Sequence, residues 1–362
     1  MTSSTINSNT HYFIALDDRV DLISEVLTTT GQPTAYNREQ AANLKRVVFD
    51  GITTAVENGL AKSSIGLWAD SDLGESVLLR AKAMALTTAS SPQSGTHSLS
   101  RLNVNYTAIQ LTLNPDGPEE GRKELLEKLK AVSDQAREQA KPLMIEIDSI
   151  PTSTQIEMYG GFSSARAMLL IMSIQQLQDA GVHPAIWAFE PADDETFTAA
   201  ITAQAHVDDR DNTVIIVVAG GLAAGQIGNE LSQSEKNVIS LAARTLGVSG
   251  VLIGPGAYYR HLVQLNEGII ERDQAVEVIA AQLGDIGEIF EKERRFLSNA
   301  KAPKKIVPQK LEKSIQRETL CTSSFPKKRE WRSAVGAADS GALKTSRNPR
   351  SGKRRRRRSE EE

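Results

Sequence analysis

The chain has 362 residues, of which 40% are hydrophobic and 24% are charged, a composition typical of globular proteins. Its single cysteine, Cys321, excludes both a disulfide framework and a cysteine-ligated zinc site. No apolar run approaches the roughly 20 residues of a membrane span. The first residues lack the basic and then apolar layout of a signal peptide. We therefore expect a cytoplasmic protein without a membrane partner.

Charge is divided unevenly between two parts of the chain. Residues 301–362 contain 19 Lys and Arg against 7 Asp and Glu, a net charge of +12. Residues 1–300 contain 23 against 38, a net charge of −15. The basic part is rich in Ser, Pro and Gly and has no apolar period, so it cannot bury enough apolar surface to offset its chain entropy. We predict disorder for residues 300–362, and also for residues 1–10.

Eight short aliphatic or β-branched runs follow one another along residues 11–299. Their continuous apolar character is the pattern of strands that are buried on both faces of a parallel sheet. In chain order, the runs are 12–18, 64–70, 83–89, 106–114, 142–148, 185–190, 213–221 and 250–256. The sequence therefore predicts eight strands of one parallel sheet.

Most intervals between these runs carry amphipathic segments of helical length. The segment 118–140 opens with proline and acidic residues and carries opposite charges at i, i+4, and the segment 37–59 closes on glycine. Further helices are predicted at 163–181, 234–247 and 272–297, whereas the interval 90–103 is predicted to be a loop.

Alternation of eight strands with about seven helices predicts an α/β fold, a (β/α)8 TIM barrel over residues 11–299. A doubly wound open sheet is the alternative. Its dinucleotide-binding form would need a G-x-G-x-x-G turn after the first strand, but that strand ends in Asp17, Asp18 and Arg19. This difference favours the barrel.

The active site of such a barrel lies at the carboxyl ends of its strands. Carboxylates dominate there, and we predict Asp17, Glu146 and Glu190 as catalytic groups. Strands seven and eight end in glycines, which let backbone N–H groups approach a phosphate. The predicted substrate- or phosphate-binding residues are Arg19, Asp70, Gly220, Gly221, Gly254 and Gly256. For any single residue, the alternative is a structural role as a helix cap or a turn.

Metal-dependent classes receive little support from the sequence. None of the five histidines follows a predicted strand or stands at metal-ligand spacing from another, which disfavours a zinc-dependent aldolase or hydrolase. Cys321 lies in the basic part, so a nucleophilic cysteine within the barrel is excluded. Carboxylate binding of magnesium by Asp17, Asp70 and Glu146 stays open as the alternative to a site without any cofactor.

Seven segments, in the same order and at similar spacings, carry a resemblance over residues 11–297. They are 15–27, 44–74 and 108–116, then "AKPLMIEI" (140–147), "HPAIWAFEP" (183–191), "VIIVVAGGL" (214–222) and "GVSGVLIGPGAYY" (247–259). The series resembles class I tagatose-bisphosphate and sulfofructosephosphate aldolases. It also resembles the related domain fused to 5-dehydro-2-deoxygluconokinases in inositol catabolism. The resemblance implies a TIM barrel that acts on a phosphorylated sugar.

One departure from that family concerns its catalytic amine. In the family, a lysine on the sixth strand forms a Schiff base with the substrate carbonyl, two residues before a glutamate. Here Glu190 is present, but the lysine position is Ala188, and Gln110 stands where members carry another lysine on the fourth strand. An amine is required to form the iminium. The family's phosphate-binding arginine corresponds to Pro255, which leaves Arg260, one helical turn further on, as the predicted phosphate contact.

Three functional interpretations stay open. The first is an aldolase-like barrel that has lost Schiff-base catalysis. It binds a small phosphorylated sugar or keto acid, alone or in a homo-oligomer, or it serves as a partner subunit of an active enzyme. The second is a working lyase or isomerase with Asp17, Glu146 and Glu190 as general acid and base groups. The third is a binder of nucleic acid or an acidic surface through the six basic residues 353–358. An out-of-frame gene extension is the alternative explanation of the basic part.

Overall fold

The computed structural model describes residues 11–91, 102–191, 194–208, 210–219 and 231–299. The chain divides into two units, Met1–Ala300 and Lys301–Glu362. The second unit and residues 1–10 lie outside the described residues. The predictions of disorder for these two segments therefore remain predictions.

Eight parallel strands close into a barrel in which each strand pairs with its neighbours in sequence and the last pairs with the first. The strands are β1 (Tyr12–Leu16), β2 (Ile65–Ala69), β3 (Thr87–Ser90), β4 (Tyr106–Thr112), β5 (Leu143–Asp148), β6 (Ile186–Phe189), β7 (Val214–Ala219) and β8 (Val248–Ile253). This topology confirms the predicted (β/α)8 TIM barrel.

Helices occupy most of the connections between the strands, whereas most of the interval 90–103, where a loop is predicted, lies outside the described residues. They are α1 (Ala35–Glu57), α2 (Glu75–Ala83), α3 (Glu119–Glu138), α4 (Ser153–Met158), α5 (Phe162–Asp179), α6 (Glu195–Ala205), α7 (Gln233–Arg244), α8 (Tyr259–Asn266) and α9 (Arg272–Asn299). Short helical turns lie at Leu22–Val26, Lys62–Ser64 and Pro255–Ala257. Helix α1 begins with a capping box, in which the Thr34 hydroxyl accepts from the Asn37 N–H and the Asn37 side chain accepts from the Thr34 N–H.

The third strand begins later than the sequence predicts. The predicted run 83–89 overlaps the end of α2, and the chain then turns through Ala85, whose φ is +57°. The strand itself starts at Thr87. Apolar residues at the end of a short helix and at the start of a buried strand look alike in sequence, which explains the shift.

The interior of the barrel is a packed core. Alternate residues of each strand point inward. They form one cluster of buried apolar side chains: Phe13, Ala15, Trp68, Ala89, Tyr106, Ala108, Met144, Ile186, Ala188, Ile216, Val218 and Leu252. A second cluster lies between the strands and the surrounding helices. Strands that are buried on both faces account for the continuous apolar runs in the sequence.

Closure between β1 and β8 depends on a glycine. The Val251 N–H donates to the His11 carbonyl oxygen at 2.7 Å, which brings the backbone of β8 close to that of His11. A β-carbon at Gly250 would overlap with the His11 carbonyl group. A residue without a side chain is therefore needed at position 250.

Among the helices that the structure describes, none is long and apolar enough to cross a membrane.

Candidate functional site

A pocket of about 220 Å³ opens at the carboxyl ends of β4, β5 and β6. Barrel geometry explains why these residues meet, since the carboxyl ends of all eight strands lie at one face. The pocket is lined by Gln110, Leu111, Thr112, Glu146, Ile147, Asp148, Arg166 and Glu190. Two of the three predicted catalytic carboxylates, Glu146 and Glu190, therefore line one cavity.

Register places Ala188 in the same layer as two pocket residues. Glu146 of β5 pairs with Gln110 of β4 on one side and with Ala188 of β6 on the other. Paired residues of neighbouring strands face the same side of the sheet, here the barrel interior. Ala188 is fully buried. A methyl group thus occupies the position at which the resemblance would place an amine.

Arg19 joins the carboxylates of β1 and β5. Its Nε and Nη2 donate to the two Asp17 carboxylate oxygens at 2.6 and 3.1 Å. Its Nη1 and Nη2 donate to the two Glu146 carboxylate oxygens at 3.3 and 2.8 Å. The guanidinium also lies 5.0 Å from the centre of the Trp68 ring, a cation–π distance. These contacts fix the side chains of Asp17 and Glu146 relative to one another.

Burial dominates the electrostatics of Glu146. Removal from water raises the pKa of its carboxyl group, and the nearby Asp17 carboxylate adds to this effect, whereas Arg19 opposes it. The phenol of Tyr258, close to Asp17, donates to the Ala15 carbonyl oxygen at 2.7 Å, and burial raises its pKa as well. A buried carboxyl group with a raised pKa beside a cleft is a candidate general acid or base.

A second arginine bridges two more carboxylates. Arg166 of α5 donates from Nε and Nη2 to Asp148 Oδ1 at 3.1 and 2.7 Å, and its Nη1 lies 2.7 Å from Glu190 Oε2. Asp148 ends the fifth predicted strand and was expected at this mouth, whereas Arg166 was not predicted as a site residue. A signal was present, because Arg166 is the only charged residue between Met158 and Gln178.

The sequence did not predict the position of Lys45 near the barrel mouth either. This buried lysine of α1 pairs with the Asp70 carboxylate and donates to the carbonyl oxygens of Leu16 and Asp17 at 2.8 and 3.1 Å. The other oxygen of Asp70 accepts the N–H groups of residues 72–74 at 2.7–3.3 Å. Both carboxylate oxygens of Asp70 are thus engaged at the start of α2, and its predicted role in substrate binding stays a prediction.

The glycine turns are only partly described. Gly220 and Gly221 lie outside the described residues. The Gly254 N–H donates to the Ala219 carbonyl oxygen at 2.7 Å, and Gly256 lies within the turn Pro255–Ala257. Arg260 is exposed at the start of α8 and does not line the pocket described above. Phosphate binding by these residues stays a prediction.

The three carboxylates that we considered for magnesium do not form a joint site. Asp17 and Glu146 hold Arg19 between them, and Asp70 faces Lys45. Within the ranges that the structure describes, no three His, Cys, Asp or Glu residues are grouped as metal ligands.

Comparisons with known proteins yield similar solved structures. No protein-family model matches the chain, and no curated protein matches its sequence significantly. One similar structure is Cgl0159 from Corynebacterium glutamicum, with 12% identity, a TM-score of 0.46, and coverage of 76% of this chain and 86% of that chain. Another is the YdjI aldolase from Escherichia coli K12, with 10% identity, a TM-score of 0.46, and coverage of 80% and 95%. These values establish no family membership, and the fold assignment rests on the strand order of the chain itself.

Proposed function

We propose that this barrel binds a small phosphorylated sugar or keto acid at the carboxyl ends of its strands and does not use Schiff-base catalysis. The observation that carries the proposal is Ala188, which lies fully buried beside Glu146 in the inward-facing layer. Alanine has no amine with which to form an iminium.

No lysine among the described residues lies where its amine could replace the one that is missing at position 188. The two buried lysines in this part of the chain are Lys45 and Lys141. Lys45 is engaged with Asp70 and two carbonyl oxygens. Lys141 lies just before the start of β5, at the opposite end of the barrel from the pocket. Neither lines the pocket.

The chemistry of the pocket supports the ligand class. The carboxylates of Glu146 and Asp148 can accept hydrogen bonds from sugar hydroxyl groups, and the guanidinium of Arg166 can bind a phosphate or a carboxylate. A volume of about 220 Å³ suits a ligand smaller than a typical drug molecule. We infer a role in carbohydrate catabolism from the resemblance noted above.

Isothermal titration with dihydroxyacetone phosphate and with tagatose 1,6-bisphosphate tests the proposal. We expect binding by the full-length protein and a loss of about tenfold in affinity for Glu146→Gln, because a neutral amide oxygen is a weaker hydrogen-bond acceptor than a carboxylate. Glu293→Gln serves as the matched control, since this carboxylate pairs with Arg244 at the end of α7, away from the pocket. Absence of binding by the unmodified protein would contradict the proposal.

A second candidate function is acid–base catalysis by a lyase or isomerase. The observation that favours it is the buried Glu146 with its raised pKa, close to Asp17 and within the pocket. Such a base would exchange carbon-bound hydrogens of dihydroxyacetone phosphate for deuterium in D2O, which proton NMR detects. Exchange that Glu146→Gln abolishes would support catalysis, and exchange at the uncatalysed rate would exclude this candidate for that substrate.

Other predictions from the sequence stay proposals. They are a cytoplasmic location, assembly into a homo-oligomer, and attraction of nucleic acid or an acidic surface by residues 353–358.

A further inference from the structure

The two arginines at the mouth of the barrel differ in how their donors are used. Arg19 makes four hydrogen bonds to the four carboxylate oxygens of Asp17 and Glu146, and only 10% of its side chain is exposed. An incoming anion would have to displace either the buried carboxylate of Asp17 or that of Glu146, each of which accepts from Arg19 with both of its oxygens. Arg19 is therefore better suited to holding the two carboxylates than to binding a ligand.

The guanidinium group of Arg166 is held firmly along one of its edges only. Asp148 accepts from its Nε and Nη2, which fixes the plane of the guanidinium against β5. Three of the five N–H donors of an arginine are used in the described contacts, including the one directed at Glu190. The side chain is 14% exposed and lines the pocket.

Glu190, which contacts the other edge of the Arg166 guanidinium, is easily displaced. The side chain of Glu190 is 49% exposed, and among the described residues its only polar partner is Arg166, at 2.7 Å. Ion pairs with a partly exposed carboxylate contribute little net stability, because water competes for both charges. Asp148 is 41% exposed as well, but its Oδ1 accepts two hydrogen bonds from Arg166 and one from the Ser149 N–H. Glu190 makes a single polar contact among the described residues. The carboxylate of Glu190 thus occupies the Nη1 side of a fixed guanidinium without being fixed itself.

We propose that Arg166 is the receptor for the anionic group of the ligand, and that Glu190 occupies this receptor until the ligand displaces it. This inference rests on the proposed function and specifies the position of the anion, between β5 and β6 instead of at the glycine turns after β7 and β8. The group recognised is a phosphate or a carboxylate, which a guanidinium binds through two parallel hydrogen bonds.

Local charge supports an exchange of one anion for another. The pocket lining carries three carboxylates and one guanidinium, so an added anion would meet an excess of negative charge. Displacement of Glu190 into water removes one negative charge from beside Arg166 as the ligand enters, which offsets the whole charge of a carboxylate and part of the charge of a phosphate. The ligand carboxylate or phosphate thereby replaces a carboxylate that already contacts Nη1 of the guanidinium.

Titration of the full-length protein with three probes tests this proposal. Dihydroxyacetone phosphate and pyruvate carry the two kinds of anion, and dihydroxyacetone is the uncharged counterpart. We expect Arg166→Gln to weaken binding of whichever anionic probe the protein accepts by about tenfold or more, with little effect on dihydroxyacetone. We expect Glu190→Gln to tighten binding of the same probe by about threefold, because a weak internal competitor is removed.

The ion pair Arg244–Glu293 provides matched controls away from the pocket, as Arg244→Gln and Glu293→Gln. Thermal unfolding of each variant checks that it is folded, and Glu190→Gln offers an independent test should Arg166→Gln fail to fold. Anion affinity that is unchanged in Arg166→Gln, or weakened in Glu190→Gln, would overturn the inference and leave the proposed function in place. Absence of binding by all three probes and by tagatose 1,6-bisphosphate would overturn both.

Discussion

Arg19 lies between two carboxylates whose charges would otherwise be left close together with little access to water. Its replacement by methionine keeps much of the side-chain volume but leaves Asp17 and Glu146 without their shared counter-ion. Loss of one partner from a buried ion pair costs about 3–5 kcal/mol. We expect Arg19→Met to lower the free energy of unfolding, measured by urea denaturation, by this amount.

Arg38→Met is the matched control for this substitution. Arg38 pairs with Asp72, and nearly half of each side chain is exposed. A pair of this kind contributes about 0–1 kcal/mol, so the control should unfold close to the unmodified protein. Equal effects of the two substitutions would show that the Arg19 bridge does not stabilise the fold.

The pKa of Glu146 can be measured directly by carboxyl ¹³C NMR. Burial raises it above the usual 4.5, so the folded state binds the proton more tightly than the unfolded state does. The contribution of Glu146 to stability is then greatest below pH 4.5 and is lost as the pH rises towards the folded-state pKa. Glu146→Gln should remove this pH dependence. Glu124, whose pKa its partner Lys128 lowers, provides an internal control, and a Glu146 pKa at or below 4.5 would contradict the account.

The sequence predicts the strand-end carboxylates better than their partners. Glu146 and Glu190 could be placed at one mouth because they follow the apolar runs that form neighbouring strands. Arg166 and Lys45 come from helices, and the direction of a helical side chain depends on how the helix is rotated against the sheet. That rotation is set by packing over the whole layer, which the position of a charge in the sequence does not reveal.

At the scale of elements, buried strands were predictable and short helices were not. Eight continuous apolar runs sufficed to predict the barrel, since both faces of a parallel strand are covered. The helices α2 and α6 have nine and eleven residues, and the sequence reasoning assigned neither. Too few periodic positions fall within segments of this length to distinguish them from loops.

Two glycine-to-alanine substitutions should have opposite effects on stability. At Gly250, the added β-carbon would overlap with the His11 carbonyl group where β8 pairs with β1, so Gly250→Ala should cost about 3 kcal/mol. At Gly284 in α9 no atom lies within 4 Å of that position, and Gly284→Ala should add about 0.5–1 kcal/mol through lower chain entropy in the unfolded state. Urea denaturation measures both, and a Gly250→Ala barrel as stable as the unmodified protein would contradict the described closure.

At the scale of the whole molecule, the charge division suggests that the barrel and the basic part can be separated experimentally. We expect a chain that ends at residue 300 to keep the melting temperature and the ligand affinity of the full chain, because every residue that lines the described pocket precedes that point. We also expect a DNA column to retain the full chain in a salt-sensitive manner and not to retain the truncated chain, since the +12 segment is removed. Loss of ligand affinity on truncation would contradict this separation.

Borohydride trapping tests the central claim most directly, namely that the barrel binds its ligand without a Schiff base. The full-length protein is incubated with dihydroxyacetone phosphate or with tagatose 1,6-bisphosphate and then reduced with borohydride. Its mass is then measured by intact mass spectrometry. We predict no covalent adduct, together with a rise in melting temperature in the presence of the same phosphates, because position 188 carries a methyl group. An adduct that maps to a lysine within residues 11–299 would contradict the account and show that an amine of the barrel performs the chemistry that Ala188 cannot.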